Sequence, residues 1–167
     1  MILIGYPGIG KSTLARTSDS RFIDLESSYF PRKYRGEEID WQDQYCRIAI
    51  DLHDQGYLVF TSSHDVVRNK FHQFVQRGFI KHNEVALVFP AIVIYDKWIE
   101  MLERRYKTTK LDKDLRALDN ARSNFQDQIN ELKEDSFGKI LLYYTPGEYN
   151  LEEVIMSNIR ETKNYVI

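Results

Sequence analysis

The chain of 167 residues lacks several features on which whole classes of protein depend. It contains one cysteine, Cys46, which excludes an internal disulfide and a zinc site built from cysteines, and which fits a reducing compartment. No apolar run approaches the ~18 residues of a membrane span. No charged leader precedes the apolar start, so we predict neither membrane insertion nor secretion and expect a cytoplasmic setting.

An excess of charge of one sign is also missing. The chain has 23 basic and 25 acidic side chains and a net charge of −2. The molecule as a whole therefore has no electrostatic reason to coat nucleic acid or an anionic membrane, and binding to nucleic acid would need a local basic patch. The four histidines show no spacing typical of metal ligands. The length suits a single domain, residues 1–167, and 43% hydrophobic content allows a substantial core.

The most informative stretch is the first fifteen residues, MILIGYPGIGKSTLA. Residues 1–4 are all apolar, as in a strand buried on both faces of a parallel sheet. The three glycines that follow allow backbone conformations that a Cβ would forbid, and residues 12–15 are typical of a first helical turn. The N–H groups of such a bend, the helix N-terminus and Lys11 would together attract a polyphosphate.

Residues 5–12 fit G-x-x-x-x-G-K-[ST] at every fixed position, the pattern of the phosphate-binding loop of nucleoside triphosphatases. The pattern predicts ATP and Mg²⁺ as cofactors. We expect Lys11 to bridge the β- and γ-phosphates and the Ser12 hydroxyl to ligate Mg²⁺. The expected ATP-binding residues are Gly8, Ile9, Gly10, Lys11, Ser12 and Thr13. The alternative is an ordinary glycine turn between strand and helix.

The remainder of the chain alternates between short apolar segments and helical patterns. Four later segments resemble the first strand: RFIDL from Arg21, YLVFTSS from Tyr57, VALVFP from Val85 and KILLYY from Lys139. Apolar residues at helical spacing fill the gaps, over residues 41–52, 66–75, 98–106 and 151–159. This alternation predicts an α/β fold of three layers, with a parallel sheet between helices.

Residues 111–132 form a different pattern, a long helix with charged flanks. Its apolar residues recur at spacings of four and three, at Leu111, Leu115, Leu118, Phe125, Ile129 and Leu132. Arg122 interrupts this seam. Either the helix end splays and Arg122 pairs with an acidic neighbour, or the segment is a mobile lid that turns Arg122 toward phosphate when nucleotide binds.

The loop at residues 5–12, the five strands and the arginine-bearing helical insertion together resemble the small P-loop kinases. These include nucleoside monophosphate kinases, shikimate and gluconate kinases, and related phage and bacterial nucleotide kinases. The resemblance covers most of the chain in architecture, but only the loop is specific as a motif. It implies a five-stranded parallel sheet of order 2-3-1-4-5, ATP at the carboxyl ends of the strands, and a helical lid at about residues 103–136.

The same resemblance implies an activity, the ATP-dependent transfer of the γ-phosphate to a small acceptor. A nucleoside or deoxynucleoside monophosphate is the expected acceptor. FIDLE, at the end of the second strand, resembles the D-x-D of shikimate-type kinases, with Asp24 first and Glu26 in the second position. Asp24 would hold a Mg²⁺-bound water or take the proton of the attacking hydroxyl, and the alternative for it is a turn cap.

The stretch LERRYK, residues 102–107, resembles the arginine-rich entry to the kinase lid. Arg104 and Arg105 cannot face the same way on a helix, so we expect one at the phosphates and the other in solvent or an ion pair. With Lys11, Asp24 and Arg122 they complete the set of candidate catalytic residues.

The stretch TSSHDVVR, residues 61–68, leaves the third strand where the kinases place groups that face the substrate. Ser63 or Asp65 could instead cap the following helix. The candidate substrate contacts are Glu26, Arg35, Ser62, His64 and Arg68.

Three other activities share the loop. A motor or switch ATPase would carry an acidic residue at the end of a strand, which AIVIYD imitates at Asp96, but Pro90 and a helical start at Asp96 disfavour that assignment. A polynucleotide 5′-end kinase would share the loop and Asp24, and would need a basic groove. A nucleotide-binding protein without turnover is the third.

Overall fold

The computed structural model describes residues 1–17, 21–135, 140–144 and 151–163, with side chains for all of these except 140–144 and 160–163. The strands are β1 Ile2–Gly5, β2 Phe22–Asp24, β3 Lys33–Tyr34, β4 Glu37–Glu38, β5 Leu58–Ser62, β6 Val85–Pro90 and β7 Ile140–Tyr144. The helices are α1 Lys11–Thr17, α2 Trp41–Asp54, α3 Asp65–Gln76, α4 Tyr95–Thr109, α5 Asp112–Glu134 and α6 Leu151–Lys163.

The main sheet is parallel throughout and has the order β2-β5-β1-β6-β7. Counted within this sheet alone, that order is 2-3-1-4-5. β1 lies at the centre, and its residues Ile2, Leu3 and Ile4 are almost fully buried because strands flank it on both sides and helices cover the sheet. The predicted α/β fold with a parallel sheet is therefore confirmed.

The helices pack in two groups against this sheet. α2 packs on α3 and contacts β5 and β1, whereas α4 packs on α5 and α5 contacts β6. The carboxyl ends of the central strands meet at one edge, where Gly5 lies beside Ser62 of β5 and Val88 of β6. Among the residues described here, no helix combines the length and apolar character that crossing a bilayer requires.

The seam of α5 differs from the predicted one near Arg122 and at its start, where Leu111 is exposed and precedes the helix and Asp114 is buried. Ala121 is 1% exposed and takes the inward place between Leu118 and Phe125, at spacings of three and four. Arg122 therefore lies beside the seam and not on it, and its side chain is exposed. Ala121 has the spacing of the helix seam, but an alanine is only weakly apolar and contributes little to a hydrophobic pattern.

A short hairpin of β3 and β4 was not predicted from the sequence. Arg35 and Gly36 connect its strands, and both have positive φ, 51° and 88°. Such turns favour Asn-Gly, which gives the usual hairpin signal, and an arginine in the left-handed region gives none.

Candidate functional site

The loop between β1 and α1 folds around the side chain of Lys11. Its Nζ atom donates hydrogen bonds to the carbonyl oxygens of Gly5 at 2.8 Å and Tyr6 at 3.2 Å. A Cβ on Gly5 would lie 2.7 Å from Cδ of Lys11, so the lysine stem can rest here only because residue 5 is glycine. Gly8 and Gly10 bend the loop with φ of +91° and +94°.

Burial acts directly on the Lys11 ammonium. Desolvation lowers the pKa of Lys11 to about 8, while the nearby carboxylates of Asp24 and Glu26 act in the opposite direction. The lysine side chain is half-buried, and within the described part of the chain its ammonium donates to two carbonyl oxygens. An anion in the loop would bind this ammonium and favour its charged form.

Ser12 and Asp24 form the second element of the site. Ser12 lies in the first turn of α1 and Asp24 ends β2, and the Ser12 hydroxyl donates to Oδ2 of Asp24 at 2.5 Å. Asp24 therefore faces the loop. Hydroxyl and carboxylate oxygens are the ligands that Mg²⁺ takes from proteins, usually one or two of them beside phosphate and water. Among the residues described, no group of three or more His, Cys, Asp or Glu could hold a metal ion.

A cleft of about 1540 Å³ opens at the carboxyl ends of the strands. The loop forms one wall, the ends of β2 and β5 form another, and residues of α4 and α5 face them. The cleft brings together most of the residues predicted for the site, namely Gly8, Ile9, Gly10, Lys11, Ser12, Thr13, Asp24, Glu26, Ser62, His64, Arg68 and Arg105.

The two adjacent arginines of α4 separate as helical geometry predicts. Arg105 lines the cleft and forms an ion pair with Oδ1 of Asp114 at 2.7 Å. Its charge also lowers the pKa of Lys11, which indicates that the two cations lie near each other. Arg104 is exposed and pairs with Glu100, one turn away, at 3.3 Å. Arg104 is thus outside the cleft lining, and the candidate catalytic arginine of this pair is Arg105.

Two other predicted residues lie outside the cleft lining. Arg122 is paired with Glu103 of α4 at 2.6 Å, which is the ion-pair alternative for its position in this structure. Arg35 belongs to the exposed turn of the hairpin, where its guanidinium lies 5.2 Å from the ring centre of Tyr34. Neither residue lines the cleft, although the sequence predicted both at the site.

Arg68 lines the cleft but is already paired. It forms ion pairs with Glu131 and, at 2.6 Å, with Asp135, and it donates to the carbonyl of Ser63 at 2.5 Å. Nε2 of His72 lies 2.6 Å from the other oxygen of Asp135. These contacts join α3 to the C-terminal end of α5 across the cleft.

The start of α3 does not use the cap predicted for it. The N-cap residue is His64, which makes no side-chain cap, and Asp65 is the first helical residue. The Ser62 hydroxyl accepts from the N–H of His64 at 3.3 Å. Ser63 and Asp65 are therefore not caps, and Ser62, His64 and Asp65 all line the cleft.

Several cleft residues from α5 were missed by the sequence reasoning, and three of them contact other elements: Asp114, Gln128 and Glu131. Asp114 is 2% exposed and accepts a hydrogen bond from the Thr109 hydroxyl at 2.5 Å, and Gln128 accepts one from Tyr6 at 2.8 Å. Glu131, the third, holds Arg68. A carboxylate in the first turn of a helix is a weak signal for Asp114. Nothing local distinguishes the other two.

The strand that a motor or switch ATPase would need is not formed. β6 ends at Pro90, residues 92–94 are a 3₁₀ turn, and Asp96 lies in the first turn of α4. The acidic end of AIVIYD is thus helical, as its sequence context suggested.

No protein-family model matches the chain, and no significant similarity to a curated protein or to a solved structure was found.

Proposed function

We propose that this chain is an ATP-dependent phosphotransferase of the P-loop kinase type, which moves the γ-phosphate of ATP to a small acceptor bound in the cleft. One observation carries the proposal. The Lys11 ammonium lies on a glycine-bent loop at the N-terminus of α1, and the Ser12–Asp24 pair stands next to it. A cation, a helix N-terminus and two oxygen ligands at one point are what a magnesium-bound triphosphate requires.

The residues present fit these groups. The amides of residues 8–13 and the N-terminus of α1 would face the phosphates, and Lys11 would exchange its two carbonyl partners for phosphate oxygens. Ser12 and Asp24 would hold the metal. Mg²⁺, when bound, neutralises charge on the phosphates and so lowers the barrier to transfer.

In the transfer itself, the hydroxyl oxygen of the acceptor bonds to the γ-phosphorus. The bond from that phosphorus to ADP breaks and its electron pair stays on ADP. Glu26, which follows the end of β2 and lines the cleft, accepts the hydroxyl proton, because Asp24 holds the metal. Arg105 would leave Asp114 to neutralise charge on the moving phosphoryl group.

The nucleoside monophosphate acceptor and the cytoplasmic setting stay predictions from the sequence. A polynucleotide 5′-end kinase would share the loop and Asp24, so the test below includes an oligonucleotide acceptor. The test also distinguishes a nucleotide-binding protein that does not turn over ATP.

The decisive experiment follows labelled γ-phosphate. The protein is incubated with ATP and Mg²⁺ and with nucleoside monophosphates, nucleosides, small polyols, amino alcohols or a 5′-hydroxyl oligonucleotide, and the labelled products are separated. We expect the wild type to label one small acceptor. We expect Lys11→Ala to label none. Hydrolysis of ATP that does not depend on an acceptor would indicate an ATPase. Label found only on the oligonucleotide would indicate a polynucleotide 5′-end kinase. Calorimetry that detects no binding of ATP would overturn the proposal.

A further inference from the structure

We infer that the acceptor carries no phosphate of its own and is a neutral or positively charged hydroxyl compound. This differs from the nucleoside monophosphate that the sequence predicts. The inference rests on the proposed function and narrows it. The part of the cleft wall beyond the loop, where β2 and β5 end and the last turns of α5 face them, is called the acceptor end. It comprises residues 24–27, Tyr29, residues 62–65, Arg68, Glu131 and Leu132.

The guanidinium at the acceptor end is already paired. Nε of Arg68 donates to Asp135, Nη1 to Ser63 and Nη2 to Glu131, so three of its five N–H groups are used, one on each nitrogen. The side chain of Arg68 is 8% exposed and that of Asp135 10%. A phosphate that took the place of these carboxylates would leave Asp135 poorly solvated beside a new anion.

Two further basic residues lie near the acceptor end. The guanidinium of Arg32 lies 3.3 Å from the ring centre of Trp41 and donates to the Ser27 carbonyl at 3.3 Å, and Arg32 is not among the residues that line the cleft. His64 does line the cleft, and burial is the largest cause of its lowered pKa, while Asp65 acts in the opposite direction. The lowered pKa disfavours the charged form of His64.

Most of the charged side chains that line the acceptor end are carboxylates. Glu26, Asp65 and Glu131 line it, and Asp135 stands behind Arg68. Asp24 also lines it but is committed to the metal in the proposed function. Lys11, at the boundary with the loop, offsets part of this charge but is committed to the donor phosphates in the proposed function. A phosphate dianion would meet net negative charge here, whereas hydroxyl and ammonium groups would donate hydrogen bonds to the carboxylates.

The inference is tested without knowing the acceptor by using inorganic phosphate as the probe. Calorimetry is carried out on protein saturated with Mg²⁺ and a non-hydrolysable ATP analogue, so that the loop is filled. We expect the wild type to bind no phosphate at millimolar concentration. Glu131→Gln combined with Asp135→Asn leaves Arg68 unpaired and should gain phosphate binding, and adding Arg68→Gln should abolish that gain. Phosphate binding by the wild type that Arg68→Gln removes would overturn the inference.

Two controls keep this test decisive. Glu131→Gln alone changes a side chain that is 57% exposed, so it should fold even if the double variant does not, and it should show part of the gain. Thermal unfolding of each variant checks the fold.

Activity on matched pairs gives an independent measure. The pairs are thymidine and its monophosphate, adenosine and its monophosphate, glycerol and glycerol 3-phosphate, and ethanolamine and phosphoethanolamine. Wherever a pair is used at all, we expect kcat/KM to favour the phosphate-free member by at least about tenfold. Preference for a monophosphate would overturn the inference and leave the phosphotransferase standing. Failure to bind the ATP analogue would instead remove the proposed function.

Discussion

The Ser12 hydroxyl lies 2.5 Å from a carboxylate oxygen of Asp24, and this contact joins the start of α1 to the end of β2. The two residues are twelve positions apart in the chain, and β2 is separated from β1 by β5 in the sheet. The pair places two oxygen ligands beside the Lys11 ammonium. Substitutions at Ser12 and Asp24 are therefore the most direct test of whether the site binds a metal.

Replacing either member of this pair should weaken metal binding. Ser12→Ala and Asp24→Asn are each expected to raise the Mg²⁺ concentration needed for half-maximal turnover by about 10–100-fold. Because both act on one ion, the double variant should lose less than the product of the single losses. Titration of turnover against free Mg²⁺ measures this, with a change at an exposed residue of α2, Asp51→Asn, as the control. Equal Mg²⁺ dependence in the wild type, both single variants and the double variant would remove the metal role.

Lys11→Ala should abolish transfer while leaving the protein folded. Loss of the ammonium removes charge stabilisation of the reacting phosphates, and we expect turnover to fall by about 10²–10³ or more. The free energy of unfolding should not fall through loss of the charge, because burial already lowers the pKa of Lys11 to about 8. Lys11→Met keeps the stem that packs on Gly5 and separates packing from charge. Turnover close to that of the wild type in either variant would contradict the assignment.

Arg122→Ala should leave turnover within twofold of the wild type, roughly the scatter of a surface change. Its pairing with Glu103 on the outer side of α4 and α5 is partly exposed, so we expect a loss of at most about 1 kcal/mol in the free energy of unfolding. Arg105→Lys is the matched variant, since it keeps a cation in the cleft but loses the fork that holds Asp114. A large kinetic effect of Arg122→Ala with none for Arg105→Lys would restore the lid role of Arg122.

Stability should depend on acid through Asp40, the N-cap of α2. Its carboxylate accepts from Lys70 at 2.7 Å and from the N–H of Asp43 at 3.0 Å, and the bond to Lys70 is the larger cause of its lowered pKa. A carboxyl whose pKa is lower in the folded protein stabilises it above the unfolded pKa, and this contribution is lost as the pH falls through the folded value.

Two substitutions separate the charge of Asp40 from its cap. Asp40→Asn keeps a side chain that can cap the helix, so it should lose only the contribution that disappears in acid, below about pH 4. Asp40→Ala loses the cap as well, at a cost of about 1 kcal/mol at neutral pH. Urea unfolding at pH 7 and pH 3 measures both. Identical pH dependence in the wild type and Asp40→Asn would show that the contact with Lys70 contributes nothing.

Much of the framework was predictable because its causes are local. VALVFP forms β6 over the predicted residues, and the helices over residues 41–52 and 66–75 were found within two residues of their true bounds, since periodicity reports directly which face is buried. Arg122 was misplaced for the opposite reason. Choosing between it and Ala121 depends on what packs against α5, and the local pattern does not contain that information.

The sequence by itself determined which segments form strands, the glycine-bent loop and the position of Lys11 within it, because each depends on residues within one turn or one strand of each other. The tertiary structure alone decided the electrostatics of the cleft. Arg68 meets Glu131 and Asp135 more than sixty residues away, and Arg105 meets the buried Asp114 of another helix. Whether an arginine is available to a ligand or already neutralised is a property of its distant neighbours, and only packing brings them together.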